Sequence, residues 1–381
     1  MDYTIYTEKL LVNDEWQNNI VVHVSNGKIV SMCAGEGKGA DYRFAYLTLG
    51  TIDNHIHGGN LFHIHDAEVE TMEKWLVDLA EAGVCGVMAT PYGSMETIHN
   101  GLEITKRVME RQKEGKCGGA RIMGVHLEGP FISLKRPGAF VEETILKPSV
   151  ETYKQVVEGY EDIIKEMTLA PEGEGAKELI EYLSEHGVKV LAGHTDCDFD
   201  TALQAFGWGV GAMCHTFNAA RPIHHREPGI VTAALTAPEI YCEMIGDLEH
   251  LHPGTIRLLL HCKGSKRAMI VSDSIRTTNC RDGIYEDEND IIVEVKNGIS
   301  RDYEKGCLCG GGCYLPKSVK NLVSIGVDFK AAVMAASVNP ARWLGQKEVP
   351  QVGESVFLEG WNADFEPEYV FLGKDQYSCK R

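Results

Sequence analysis

Eight short apolar runs, each followed by an amphipathic segment, constrain this 381-residue chain more than any other feature. The runs are residues 50–57, 84–90, 121–128, 164–170, 188–193, 210–215, 241–246 and 268–273. Helical patterns follow at 71–83, 95–113, 150–159, 175–186, 200–207, 229–235, 253–263 and, after a delay, 315–326. In the first of these Met72, Trp75, Leu76, Leu79 and Ala80 fall on one helical face. Gly187 closes the fourth. Strands that are apolar throughout, rather than alternating, belong to parallel sheets covered on both faces. Eight such units in series predict an α/β fold of the (β/α)8 barrel type, with an open doubly wound sheet as the alternative, because periodicity does not show closure.

The two ends read differently. Residues 3–7, 20–24, 28–33 and 46–49 are β-rich, with a hairpin signal at Ser25-Asn26-Gly27. Residues 354–358 and 369–372 return to the same texture. The expected organisation is a small β-sandwich domain from 1–49 plus 346–381, and a barrel over 50–345. Residues 276–305, charged and with a strand-like stretch at 290–295, read as an insertion before the last helix.

Hydrophobic residues make up 44% of the chain and charged residues 24%, as in ordinary globular proteins. No run approaches the roughly 20 apolar residues that span a bilayer. The opening Met1-Asp-Tyr-Thr-Ile-Tyr-Thr-Glu-Lys9 has neither a basic nor an apolar signal region, so no secretion signal is expected. Twelve cysteines are too dispersed for a disulfide scaffold, and Cys307, Cys309 and Cys313 lack a second ligand pair at zinc-finger spacing. A reducing cytoplasm is the expected compartment. The net charge of −18 argues against nucleic-acid binding, and an anionic substrate must be captured by a local basic cluster.

In a barrel, reacting groups sit where strands end. Strand one ends in His55 and His57, whose i, i+2 spacing puts both imidazoles on one side. Strand three ends in His126-Leu-Glu128, strand five in His194, strand six in His215 and strand eight in Asp273. Each alone is ordinarily a solvated or capping residue. Five strand ends together form the ligand set of a mononuclear or binuclear hydrolytic metal site. His194, His215 and Glu128 are the firmest ligands, with Glu128 able to bridge two ions, and His55 and His57 complete a second position. Asp273 is placed to carry the proton of the attacking water. The position of Lys165, at the start of strand four rather than its end, counts against a bridging carboxylated lysine. After strand six, Arg221-Pro-Ile-His-His-Arg226-Glu-Pro-Gly229 is a basic cluster suited to phosphate, or else an exposed loop.

These residues resemble the N-acetylglucosamine-6-phosphate deacetylase family of the amidohydrolase superfamily. The resemblance rests on His126-Leu-Glu-Gly-Pro-Phe131, Thr168-Leu-Ala-Pro-Glu172, Gly193-His194, His215-Thr-Phe-Asn-Ala219, His225-Arg-Glu-Pro-Gly229 and Asn339-Pro-Ala-Arg342, and covers nearly the whole chain. It implies metal-dependent hydrolysis of the acetamide of a 6-phosphorylated hexosamine. It further implies one or two divalent ions, zinc or iron, on His55, His57, Glu128, His194 and His215, with Asp273 as acid/base. Substrate contacts implied in the same way are Ala139, Asn218, Ala219, Asp247, His250 and Leu308. Arg226 binds phosphate across a homodimer interface in that family.

Three motifs depart from the family pattern. Its Gly-Ala-His reads Gly138-Ala139-Phe140, its Thr-Asp-Ala reads Ser272-Asp273-Ser274, and its Leu-Ala-Gly-Ser has become Cys307-Leu-Cys-Gly-Gly-Gly312. Two alternatives stand beside the deacetylase reading. One is an amidohydrolase of another N-acyl amino sugar or N-acyl amine, and the other a non-catalytic sugar-phosphate-binding protein.

Overall fold

Eight parallel strands follow one another in chain order in the computed structural model, which describes residues 1–66, 68–286 and 292–380. They are Ile52–Ile56, Gly86–Ala89, Arg121–Glu128, Ile164–Leu169, Lys189–Ala192, Val210–Met213, Tyr241–Ile245 and Ala268–Val271. The ladder closes on itself just past its last strand. Asp273 N–H donates to the His55 carbonyl at 2.9 Å and His57 N–H to the Ser274 carbonyl at 2.9 Å. The (β/α)8 barrel is therefore the fold, and the open sheet is not.

The helices bury the faces that periodicity assigns. In Val69–Glu81, Met72, Leu76 and Leu79 are fully buried, each worth roughly 1.5–3 kcal/mol of apolar transfer. That helix begins two residues before the expected Thr71, whose hydroxyl takes the Glu68 N–H at 2.9 Å and forms a capping box. Ser94, Ser149 and Asp198 cap the helices Met95–Lys113, Val150–Val156 and Phe199–Trp208 by accepting the N–H of Thr97, Thr152 and Thr201. Two further helices, Phe329–Ala336 and Val338–Trp343, follow Leu315–Ser324. Trp343 fills the barrel floor beside Leu191, Ala212, Tyr241 and Met269, and its indole N–H donates to the buried Glu166 carboxylate.

The strands end earlier than their apolar runs. Strands five, six and eight stop at Ala192, Met213 and Val271, and His194, His215 and Asp273 turn to positive φ of 46°, 21° and 51°. Backbone in this region is costly for side-chain-bearing residues and concentrates at functional sites. Gly193 permits the turn, since a Cβ there would meet Cys214 Cβ and Thr168 Cγ2 at 2.7 Å.

Residues 276–305 hold a three-stranded antiparallel sheet, Gly283–Glu286, Ile292–Lys296 and Ile299–Asp302. Of the strand expected at 290–295, Asp290 and Ile291 lie outside the described residues.

The terminal segments share one seven-stranded sheet. Its order is Asp375–Ser378, Pro367–Leu372, Phe357–Trp361, Tyr42–Leu49, Asp2–Val12, Glu15–Ser25 and Lys28–Ala34, with only Asp2–Val12 and Tyr42–Leu49 parallel. Asn26 and Gly27, at φ 49° and 74°, make the tight turn expected between the sixth and seventh of these. Tyr3 and Phe371 stand three ladder steps apart, about 14 Å in a flat sheet, yet their rings stack at 5.6 Å. The sheet has folded over, and Ile29 N–H meets the Glu354 carbonyl at 3.0 Å across the seam, giving the sandwich. The last tail strand, 375–378, and the shift of the expected 354–358 to Phe357–Trp361 are departures from the periodicity.

Candidate active site

Glu128, at the end of barrel strand three, is the centre of the site and only 4% exposed. Its Oε1 lies 3.0 Å from His194 Nε2 and 3.0 Å from His215 Nε2, and those two nitrogens stand 3.1 Å apart. Its Oε2 lies 3.4 Å from both His55 Nε2 and His57 Nε2, which are 3.2 Å apart. Asp273 Oδ1 joins the second group, 3.2 Å from His57 Nε2 and 3.5 Å from His55 Nε2. The strand ends thus bring all five candidate ligands and Asp273 together, in two groups sharing one carboxylate.

Hydrogen bonds behind the rings fix their tautomers. His57 Nδ1–H donates to the Thr90 carbonyl at 2.7 Å, and His194 Nδ1–H to the Arg136 carbonyl at 3.1 Å. Each Nε2 therefore presents a lone pair to the carboxylate. His55 Nδ1 faces Cys214 Sγ at 3.3 Å and Glu243 Oε2 at 3.8 Å. His126, in the same motif as Glu128, is engaged on both nitrogens, by the Asn54 carbonyl and Thr168 Oγ1 at 2.8 Å each, and is not free to ligate.

A divalent ion fits this arrangement. Lone pairs converging on carboxylate oxygens at 3.0–3.5 Å repel unless a cation lies among them. Donors bound tetrahedrally to one zinc stand about 3.4 Å apart, so each group accepts an ion with a few tenths of an ångström of relaxation. Cys214 also lies close enough to join a ligand group, but its sulfur sits behind His55 on the Nδ1 side, so His194 is the better third donor beside Glu128 and His215. Burial opposes charge on Glu128, yet the charge on His55 and the close approach of His194 and His215 outweigh it and hold the carboxyl well below its usual range. Burial likewise opposes charge on His55, while Glu128, Cys214 and Asp273 push it well above the usual imidazole value.

The backbone of Asp273 is held from both ends. Its N–H donates to the His55 carbonyl, and its carbonyl accepts the Gly311 N–H at 2.7 Å. A Cβ on Gly311 would lie 1.8 Å from the Ser272 carbonyl oxygen, so the run Gly310-Gly311-Gly312 is what lets this loop press against the strand end. Asp53 Oδ1 takes the Ser272 N–H at 3.0 Å, and burial lifts the Asp53 carboxyl to about 7, partly offset by that hydrogen bond.

The expected substrate residues are scattered around this centre. Asp247 Oδ2 accepts from His250 Nδ1 at 2.8 Å and from Gly312 N–H at 3.0 Å, tying the end of strand seven to the glycine loop. Asn218 and Ala219 are half-buried just past His215, with Asn218 Nδ2 on the His215 carbonyl at 3.2 Å. Ala139 is exposed beside Gly138, where a Cβ would sit 2.9 Å from the His194 ring. Leu308 is half-buried and bridges Arg301. Arg226 is exposed with Nη1 against His225 Nε2 at 2.6 Å, and no hydrogen bond or ion pair joins it to the ligand cluster among the described residues. Arg221 pairs instead with Asp196 at 3.4 Å, alongside Arg136 at 2.8 Å.

Glu243, Cys214, Tyr92 and the packing of Phe140 join the site without having been candidates from the sequence. A lone carboxylate in the apolar run Tyr241-Cys-Glu-Met-Ile245 was the available signal for Glu243. The carbonyls of Thr90 and Arg136 leave none, since any residue supplies a carbonyl.

A closed (β/α)8 barrel carrying imidazoles and carboxylates on its C-terminal rim defines a class of metal-dependent hydrolases. The sequence profile of the amidohydrolase family matches residues 46–354, and the chain belongs to that family. Within it, the chain is 30% identical over 374 residues to N-acetylglucosamine-6-phosphate deacetylase of Vibrio furnissii, covering 96% of this chain and 92% of that one. It is 28% identical over 347 residues to N-acetylgalactosamine-6-phosphate deacetylase of Escherichia coli O157:H7, covering 91% and 90%. The crystal structure of N-acetylglucosamine-6-phosphate deacetylase from Thermotoga maritima superposes with a TM-score of 0.83 at 26% identity, covering 99% of each chain.

Proposed function

We propose that this enzyme hydrolyses the N-acetyl group of an N-acetylhexosamine 6-phosphate, N-acetyl-D-glucosamine 6-phosphate foremost, to acetate and the amino sugar phosphate. The observation that carries this is the Glu128 carboxylate held between two histidine pairs with Asp273 against it. Zinc or iron held by His55, His57, Glu128, His194 and His215 would polarise the amide carbonyl and bring the pKa of water to about 7.

The chain's own residues do the rest. Asp273 accepts the proton of the attacking water as its oxygen bonds to the carbonyl carbon. The same carboxyl then delivers that proton to the amide nitrogen as the C–N bond breaks, so acetate leaves with the water oxygen. The neighbouring His55 and His57 overcome the effect of burial and keep Asp273 below its usual range, ready to accept a proton. Asn218, Ala219, Ala139, Leu308 and the Asp247–His250 pair bind the sugar. Arg226, exposed and without contact to its own ligand cluster, reaches the phosphate in the neighbouring subunit of a homodimer.

The sheet-forming segments 1–49 and 346–381 form a small domain that supports the catalytic barrel of 50–345. The enzyme works in the cytoplasm. That placement is supported by twelve free thiols, and no helix among the described residues is long and apolar enough to cross a membrane.

A second reading, deacylation of a different N-acyl amino sugar, is favoured by one observation. Phe140, buried with its ring 5.0 Å from that of His194, offers no hydrogen bond where a polar partner would be useful. A panel of N-acyl hexosamines with and without 6-phosphate, assayed on metal-quantified protein, separates the two. The deacetylase reading expects a strong preference for phosphorylated substrate that Arg226→Met abolishes. Equal turnover of unphosphorylated sugars by the parent would refute it.

A further inference from the structure

Two aromatic rings stand beside the ligand cluster without being candidate ligands. Tyr92 follows barrel strand two and Phe140 follows strand three. The Tyr92 ring lies 4.8 Å from the His57 ring, the Phe140 ring lies 5.0 Å from the His194 ring, and the two aromatics are 5.1 Å apart at 61°. Together they run from one imidazole pair to the other and wall one side of the site. The wall is braced from behind. Tyr92 N–H donates to His65 Nε2 at 2.8 Å, and a Cβ on Gly129 would come within 3.4 Å of the Phe140 ring.

The opposite side is polar. Asn218 follows strand six, and Asp247 and His250 follow strand seven. Strand order places six and seven across the barrel from two and three. The proposed substrate is divided in the same way, because its scissile C–N bond joins a polar sugar phosphate to an apolar acyl group. With the carbonyl carbon beside Glu128 and Asp273, and the sugar turned to strands six and seven, the acyl substituent faces the two rings.

We infer that Tyr92 and Phe140 form the acyl-recognition wall of this enzyme, selecting a short apolar N-acyl group by size and by contact. The inference rests on the deacylase reading above. A methylene in an apolar pocket changes kcat/KM by about 10- to 200-fold, so the wall should be legible in a substrate series.

The test measures kcat/KM for the N-acetyl, N-propionyl, N-butyryl and N-glycolyl derivatives of glucosamine 6-phosphate. It uses the parent, Phe140→Ala, Phe140→Leu and Tyr92→Ala, each with its metal content and thermal unfolding recorded. Phe140→Ala is expected to raise the butyryl-to-acetyl ratio about tenfold or more, and Phe140→Leu, which keeps the site filled, by less. The parent should turn over N-propionyl faster than the isosteric N-glycolyl compound, whose hydroxyl is desolvated against the Phe140 ring. Inhibition by glucosamine 6-phosphate, which lacks the acyl group, should be unchanged in every variant. Folded variants whose acyl ratios match the parent would overturn the wall while leaving the deacylase reading intact. A parent that turns over none of the four compounds would overturn both.

Discussion

Glu243 stands behind His55, its Oε2 3.8 Å from the His55 Nδ1, and the same oxygen accepts the His215 N–H at 3.3 Å. One buried carboxylate thus braces a ligand from each of the two groups around Glu128. Partners of this kind typically carry 10- to 100-fold in metal affinity. Glu243→Ala is therefore expected to weaken metal retention about 10- to 100-fold, measured by competition with a chromogenic chelator. Affinity equal to the parent's would show that Glu243 does not brace the ligands.

The shared carboxylate predicts two ions per subunit. Metal analysis of His57→Ala should find one ion lost and the other, on Glu128, His194 and His215, retained. His215→Ala should lose the second of these and with it nearly all turnover. If His57→Ala binds as much metal as the parent, His57 is not a ligand.

Gly311 carries a prediction that is mechanical. Its missing Cβ would overlap the Ser272 carbonyl, and its N–H holds the Asp273 carbonyl. Gly311→Ala should cost about 1–3 kcal/mol of stability, as overpacking does. Because the displaced backbone carries Asp273, kcat should fall more than KM rises. A variant with reduced thermal stability but an unchanged kcat would separate the loop from the chemistry.

Asp247 sets a pH-dependent part of the stability. Burial pushes its carboxyl up, but the hydrogen bond and charge of His250 prevail and leave it at about 2. A carboxyl lowered on folding stabilises the protein above its unfolded value of about 3.9, and that contribution is lost as pH falls through about 2. The difference is worth up to about 2–3 kcal/mol. Chemical unfolding of Asp247→Asn and the parent should therefore show a gap of this order at pH 6 that narrows between about pH 4 and pH 2. A gap independent of pH would contradict this account.

The barrel was legible because its strands are uninterrupted apolar runs, and Arg121–Glu128, Met95–Lys113 and Pro253–Lys263 have the bounds their periodicity predicts. Phe329–Ala336 was not, since Phe329, Ala332, Val333, Met334, Ala335 and Ala336 are all buried and leave no polar face to mark a helix. The ligands were readable as residue types at strand ends. What turned them toward Glu128 was not readable. The positive φ at His194, His215 and Asp273, and the carbonyls that orient His57 and His194, are properties of the backbone rather than of side-chain identity. The basic loop around Arg226 was visible as a cluster, and in the chain its guanidinium lies against His225.

The central claim is that Asp273 and the Glu128-centred ligand set deacetylate a phosphorylated N-acetylhexosamine. The most direct measurement is acetate released from N-acetyl-D-glucosamine 6-phosphate by protein of known metal content, for the parent and for Asp273→Asn. The account predicts one acetate per amino sugar phosphate from the parent, and near-complete loss in Asp273→Asn while the ion on Glu128, His194 and His215 is retained. No acetate from metal-loaded parent, or undiminished release by Asp273→Asn, would contradict it.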